Sequence, residues 1–301
     1  MASRSEDERP RALITGHDGF TGRYVAGELE TAGYRVIGLS HSARQGDDSI
    51  IADILDLDTL RTAVAQARPD VVVHLAAISF VAHGDAEALY RVNVVGTRNL
   101  LEALVDSGHP PRVVILASSA NIYGNATVEP ISEDTRPAPA NDYAVSKLAM
   151  EHMARLWMDR LPIVITRPFN YTGVGQGEQF LIPKIVSHFR RREPEIALGN
   201  IHVWRDFSDV RDVARTYSDL VAAAPAGEVF NICSGEAHSL EDVLKMMADI
   251  AAYHVKVRIE PAFVRSSEVM RLVGDNRRLL AVSVGRRTPF RETLNWMYGD
   301  S

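Results

Sequence analysis

Residues 11–22, Arg-Ala-Leu-Ile-Thr-Gly-His-Asp-Gly-Phe-Thr-Gly, narrow the possible folds more than any other stretch of this chain. Ala12, Leu13 and Ile14 form a short apolar run that suits a buried strand. The run breaks at Gly16, and Gly19 and Gly22 follow at three-residue steps, with Phe20 between them. Helical spacing begins at Thr21, with Tyr24, Val25 and Leu29 on one side. Strand, glycine turn and helix in that order make a phosphate cradle. Gly16 permits the tight turn, Gly19 lets the backbone approach a pyrophosphate, and Gly22 lets helix and strand pack closely. The N–H groups at the start of the helix then face the anion. The pattern predicts a dinucleotide site rather than a purely structural turn.

The rest of the chain extends that unit. Tyr34–Leu39 reads as a second strand, and the ribose selector belongs at its end, roughly 20 residues past the glycines. Ser40, His41, Ser42 and Arg44 stand there without an acid. An acid would accept from a ribose 2′-hydroxyl and repel a 2′-phosphate, whereas hydroxyls beside an arginine do the opposite. NADP(H) is therefore favoured over NAD(H), although Arg44 also reads as an ordinary loop arginine. Residues 49–55 are expected to form a third strand bearing Asp53 and Ile54, followed by a helix over 57–67. Asp70–Leu75 is a continuous apolar strand of the kind covered on both faces. It runs through Leu75 to Ala76 and Ala77, small enough to admit a coenzyme. One long helix is expected over 86–107, then a strand over 112–116 ending at Ser118 and Ser119. Alternating strands and helices predict an α/β fold, a doubly wound parallel Rossmann sheet with a smaller C-terminal substrate-binding region. Ligands of such sheets sit at the carboxyl ends of strands, where Gly16, Asp53, Ala76 and Ser118 all fall.

Composition excludes several classes. The 301 residues suffice for a substantial core, and the formal net charge of −6 comes without a basic block, so no nucleic-acid partner is expected. The arginines at 190–192 and 286–287 read as solvated surface. Cys233 is the only cysteine, which excludes an intrachain disulfide and suits a reducing cytosol. The ten histidines show no metal-ligand spacing, so no metal is expected. No apolar run reaches membrane-spanning length, and residues 1–10 lack the apolar segment of a signal peptide. A cytoplasmic location is the expectation.

Chemistry enters at residues 141–151, Asn-Asp-Tyr-Ala-Val-Ser-Lys-Leu-Ala-Met-Glu. Tyr143 and Lys147 share a helix face. An ammonium beside a phenol lowers the phenol's pKa and suits it to proton transfer. Tyr-x-x-x-Lys alone is a common surface pattern; its weight comes from the glycine turn and from Ser119 at a strand end before it.

Gly-x-x-Gly-Phe-x-Gly (16–22), Ala-Ser-Ser-x-x-x-Tyr-Gly (117–124) and Tyr-x-x-x-Lys (143–147) together resemble the extended short-chain dehydrogenase/reductases, in their branch of NAD(P)-dependent sugar-nucleotide epimerases, dehydratases and reductases. The resemblance implies that Ser119, Tyr143 and Lys147 are the catalytic set. Tyr143 exchanges a proton at a sugar oxygen, Lys147 holds the nicotinamide ribose, and Asn93 supports the site. The dehydratases of that branch carry a glutamate where this chain has Asn121, and an amide exchanges no proton at neutral pH. Residues 167–176, 199–213, 228–235 and 264–276 look most like the GDP-4-keto-6-deoxy-D-mannose reductases, which form GDP-D-rhamnose. That likeness implies a nucleotide-diphosphate sugar, preferably GDP-linked, held by Asn121, Asn170, Phe180, Leu181, Lys184, Arg205, Arg265, Glu268 and Arg271. Each arginine also has the plain reading of a surface ion pair.

By the same likeness the coenzyme region spans 10–168 plus about 205–233, and the substrate region 169–204 plus 236–301. A homodimer is expected through the long helix and the Tyr143 helix, whose apolar stripes equally suit the protein's own core. The leading activity is NADPH-dependent reduction of a 4-keto-6-deoxy sugar nucleotide, or of a related deoxyheptose. A 4-epimerase with retained NAD is the alternative, followed by a 4,6-dehydratase and a non-catalytic NADP sensor.

Overall fold

A computed structural model describes residues 9–41, 49–79, 84–263, 269–283 and 287–300. The first half builds a Rossmann unit from β1 (Arg11–Thr15), α1 (Phe20–Thr31), β2 (Arg35–Ser40), β3 (Ile50–Ile51), α2 (Leu57–Ala67), β4 (Val71–His74) and α3 (Ala86–Tyr90). It continues through α4 (Thr97–Asp106), β5 (Val113–Ala117), α5 (Asp142–Arg155) and β6 (Ile163–Pro168). The remaining elements are β7 (Asn170–Thr172), α6 (Leu181–Arg190), β8 (Glu195–Leu198), β9 (Trp204–Asp209), α7 (Val210–Ala223), β10 (Val229–Ile232) and β11 (Ala237–Ser239). The chain closes with α8 (Leu240–Ala251), β12 (Lys256–Ile259), β13 (Arg271–Leu272), α9 (Arg277–Leu280) and α10 (Phe290–Gly299).

Seven parallel strands make the central sheet in the order β10-β6-β5-β4-β1-β2-β3. The two-residue period of a strand sends neighbouring side chains to opposite faces. Leu13 and Val72 pack with α2, α4 and α5 on one face; Ala12, Ile14, Val71 and Val73 pack with α1 and α7 on the other. Both faces are covered, which is why these strands are apolar throughout. Strand order reverses beside β1, and Gly16 follows β1 at that switch point, where doubly wound sheets leave a crevice.

A second core gathers Ile185, Phe189, Ile196, Phe207, Val243, Met247 and Leu294 from α6, α8, α10, β8 and β9. Strand β9 pairs with β7, β11 and β13 in a small mixed sheet, and β8 pairs with β12. Residues 204–209 thus belong to the second sheet, and the return to the central sheet begins at α7 and ends in β10, not at 205.

Two other elements depart from the sequence expectation. The strand expected over 49–55 is confined to Ile50–Ile51. The Asp53 carboxylate accepts from Leu55 N at 2.9 Å, and Asp56 accepts from Asp58 N and Thr59 N to cap α2. Aspartates bonding their own backbone compete with strand pairing and end it. The helix expected over 86–107 widens into a π-helical turn at Arg91–Gly96. There Asn93 turns inward, and the Thr97 hydroxyl donates to the Asn93 carbonyl at 2.8 Å. Gly96 faces Ile54, whose Cδ1 lies 2.6 Å from where a Cβ would stand.

Candidate active site

A cleft of about 890 Å³ opens along the carboxyl ends of the central strands. Its first wall is the glycine turn. Gly16 has φ +68°, and a Cβ there would lie 2.9 Å from Ala76 N. A Cβ on Gly22 would lie 2.2 Å from the Gly16 carbonyl, so only glycine lets α1 start this close to β1. Helices α2, α5, α7 and α8 are capped by Asp56, Asn141, Asp209 and Ser239 side chains. Helix α1 begins at Gly19 with no side-chain cap and no acid in its first turn. Its leading N–H groups and its positive dipole end are left for an anion. That bare first turn, in a cradle a Cβ would fill, fits the pyrophosphate of a dinucleotide.

Further along the same cleft lie Ser40, Asp53 and Ile54, then Leu75, Ala76 and Ala77, and Phe20 also lines it. Ser40 is buried at the end of β2, and Arg44 lies outside the described residues. Asn93 stands behind the cleft wall rather than in it. It is 1% exposed, its Oδ1 accepts from Ile78 N at 3.0 Å, and its Nδ2 donates to Ser146 Oγ at 3.0 Å. Ser146 in turn donates to the Tyr143 carbonyl at 2.8 Å. Asn93 therefore fixes helix α5 instead of touching the cleft.

Ser119, Tyr143 and Lys147 converge on the floor, each less than one-tenth exposed. Ser119 follows β5, and its Oγ accepts from Asn121 N and from Asn121 Nδ2, both at 3.2 Å. Burial pushes the Tyr143 phenol up to about 12, against a hydrogen bond with Ser119 that pulls it down. Burial likewise pushes Lys147 down to about 8, while the Glu151 carboxylate one turn along α5 pulls it up. Lys147 Nζ donates to the Ala117 carbonyl at 2.8 Å. The expected depression of the tyrosine by the lysine is thus not what this structure holds. Desolvation dominates the phenol, and the ammonium is engaged by the Ala117 carbonyl.

The expected sugar-nucleotide residues divide into three groups. Asn121, Asn170 and Phe180 line the cleft. Asn170 Nδ2 is buried with no hydrogen-bond partner, a donor left for a ligand. Leu181, Lys184, Arg205 and Arg271 stand outside this lining. Leu181 packs on the second core. Lys184 Nζ donates to the Ala197 carbonyl at 2.8 Å and lies over the Phe263 ring. Arg205 Nη1 donates to the Trp204 carbonyl at 2.9 Å. Arg271 makes a bidentate pair with Glu129, both contacts 2.6 Å, and stacks over Trp204. Arg265 and Glu268 lie outside the described residues.

Ser118, expected at a strand carboxyl end, lines the cleft, and so do Tyr171 and Gln176, which sequence reasoning missed. Ser118 Oγ is buried and unpartnered. The signal for Tyr171 was its place directly after Asn170.

Among the described residues, no helix is long and apolar enough to cross a membrane, and no three His, Cys, Asp or Glu side chains cluster as a metal site. A cleft at the switch point of a doubly wound sheet, walled by an uncapped glycine turn, defines a dinucleotide-binding enzyme class. Comparison narrows it: the model of the NAD dependent epimerase/dehydratase family matches residues 12–233, and this chain belongs to that family. It is 32% identical over 294 residues to a GDP-6-deoxy-D-talose 4-dehydrogenase of Aggregatibacter actinomycetemcomitans, covering 96% of this chain and 97% of that one. It is 32% identical to a GDP-6-deoxy-D-mannose reductase of Pseudomonas aeruginosa, covering 89% of each. Among solved structures, a candidate epimerase of Burkholderia cenocepacia is 52% identical with a TM-score of 0.91, covering 96% and 97%. RMD of Pseudomonas aeruginosa, complexed with NADPH, is 30% identical with a TM-score of 0.86, covering 97% and 98%.

Proposed function

We propose that the protein is an NADPH-dependent reductase of the 4-keto group of a GDP-linked 4-keto-6-deoxy sugar, with Ser119, Tyr143 and Lys147 as its catalytic residues. The observation that carries this reading is the buried Tyr143 phenol, hydrogen-bonded to Ser119, on the floor of the cleft that holds the bare turn of α1 and the unpartnered amide of Asn170. The two relatives above are named for oxidation or reduction of GDP-linked 6-deoxy sugars, and the RMD neighbour binds NADPH.

The residues suit the chemistry. A reduced nicotinamide coenzyme, when bound, supplies the hydride. With its pKa near 12, the Tyr143 phenol is fully protonated at neutral pH and so serves as the acid. Its O–H bond breaks as the proton passes to the oxygen on C4, and the phenolate left behind recovers a proton from solvent. Ser119 orients that oxygen and the phenol together. Below about pH 8 Lys147 remains cationic and favours the phenolate electrostatically from the same helix face. Asn121 spends its amide N–H on Ser119 Oγ and has no proton to exchange, which disfavours 4,6-dehydration.

A second reading, 4-epimerisation with retained NAD, draws support from the Burkholderia cenocepacia neighbour. One assay separates them. GDP-4-keto-6-deoxymannose and NADPH are mixed with the protein and absorbance at the reduced-coenzyme band is followed. Stoichiometric NADPH loss with GDP-rhamnose or its C4 epimer as product supports the reductase. Interconversion of GDP-sugars with no net coenzyme change supports the epimerase and ends the first reading.

A further inference from the structure

Helix α1 has two faces of consequence. Its first turn opens to the cleft, and its flank touches the loop that leaves β7 toward α6. Thr21 Oγ1 and Tyr171 OH lie 2.8 Å apart. The Tyr171 ring lies nearly parallel to Phe20, with centroids 6.1 Å apart and planes 10° apart. One turn on, Tyr24 OH donates to the Val174 carbonyl at 2.8 Å, and Arg23 Nη2 reaches the Gly175 carbonyl at 3.4 Å. The loop is also folded on itself, since Thr172 Oγ1 donates to Gln176 Oε1 at 2.7 Å. It starts beside Asn170 and runs to Phe180, and both line the cleft together with Phe20 and Thr21. Burial keeps the Tyr171 phenol above its ordinary pKa, so it remains a neutral hydrogen-bonding group.

We infer that Tyr171 is a positioning residue that, through Thr21, ties the sugar-nucleotide loop to the coenzyme helix, so that each ligand tightens binding of the other. The inference rests on the coenzyme and sugar-nucleotide reading above. An anion held by the first turn of α1 orders the residues that include Thr21. Thr21 then holds Tyr171 on β7, next to Asn170, and with it the loop that follows β7 and ends at Phe180. A second ligand meeting a loop already ordered loses less conformational entropy on binding. Linkage makes the effect reciprocal.

Isothermal titration calorimetry of the full chain tests this with NADP⁺ and GDP as the probes. In the wild type, saturating NADP⁺ is expected to tighten GDP binding about fivefold, the worth of one neutral hydrogen bond. Tyr171→Phe keeps the ring on Phe20 and removes only the hydroxyl; Thr21→Val removes its partner. Each is expected to bring the coupling factor, the ratio of GDP affinities with and without NADP⁺, close to one, and the double variant is expected to match either single one. Coupling that persists in both single variants overturns the tie while leaving the coenzyme reading intact. An equal loss of GDP affinity with and without NADP⁺ overturns it as well, since that marks a local contact only. A wild-type protein that binds neither NADP⁺ nor NAD⁺ overturns the coenzyme reading and the tie together.

Discussion

Replacing Lys147 by methionine is expected to stabilise the coenzyme-free protein at pH 7 while abolishing turnover. Lys147 is 5% exposed, and burial takes its ammonium from an ordinary 10.5 to about 8. At 1.36 kcal/mol for each pH unit, carrying that charge inside costs about 3 kcal/mol at neutral pH. Methionine fills similar volume without charge, but it leaves the Ala117 carbonyl without its donor, a loss of about 1 kcal/mol. The expected gain at pH 7 is therefore about 2 kcal/mol. Between pH 8 and 10.5 the unfolded chain holds a proton that the folded wild type has released, so wild-type stability rises with pH across that window. Methionine has no such dependence, and its advantage vanishes or reverses by about pH 10. Paired urea denaturations at pH 7 and pH 10 measure the difference, and other titrating groups cancel between the two proteins. A Lys147→Met protein less stable than wild type at pH 7, or one whose advantage is the same at both pH values, refutes desolvation as the dominant influence on Lys147.

Tyr143→Phe is expected to lower kcat by about 10³-fold with NADPH binding retained, as loss of a general acid predicts; stopped-flow turnover and coenzyme fluorescence check the two halves. In wild type, kcat/KM is expected to fall as pH rises through about 8, where the free enzyme's Lys147 loses its proton, and a profile flat to pH 9.5 would count against that role. Arg167→Leu leaves the Glu151 carboxylate, wholly buried and bound at 2.9 and 2.7 Å, without its fork; the expected cost is about 3–5 kcal/mol in chemical denaturation. Val95 and Val145 are exposed although their helices bury Leu100, Leu104 and Met150 in the core. The homodimer expected through these helices predicts that wild type sediments as a dimer and a Val95→Glu/Val145→Glu protein as a monomer.

What the sequence disclosed depended on how local the cause was. Gly16 and Gly22 were legible because the obstacle to a side chain there is backbone within a few residues or at the next strand end. The helix over Leu57–Ala67 was legible because its cap, Asp56, and its apolar spacing are adjacent in sequence. The π turn was not. It is built by Asn93 reaching Ile78 and by Gly96 packing on Ile54, and neither partner leaves a periodic trace in residues 86–107. Arg271 looked like a diphosphate ligand, yet its carboxylate partner Glu129 lies 142 residues away in sequence. A forked donor suits a diphosphate and a carboxylate equally well, so residue type alone could not choose between them. The pKa of Tyr143 failed for a related reason. The spacing to Lys147 was readable, but the burial that outweighs it belongs to the assembled fold.

The same helix shows why the site persists despite its electrostatic cost. Tyr143, Lys147 and Glu151 follow at four-residue steps on α5, and all three are buried. A phenol, an ammonium and a carboxylate stacked in a core are individually unfavourable. Arg167 on β6 makes the row tolerable by holding Glu151 with both arms while donating to Tyr123 OH at 2.8 Å. Glu151 in turn keeps Lys147 from falling further. Packing alone would replace such a row with leucines, since a buried pair is often no more stable than its apolar isostere. The arrangement makes sense where a proton must be delivered inside a dry cleft. There the neutral acid has to sit beside a positive charge that is ready before the phenolate forms. The stability lost to Lys147 is therefore tied to the chemistry proposed for Tyr143, and removing the lysine should recover the first while losing the second.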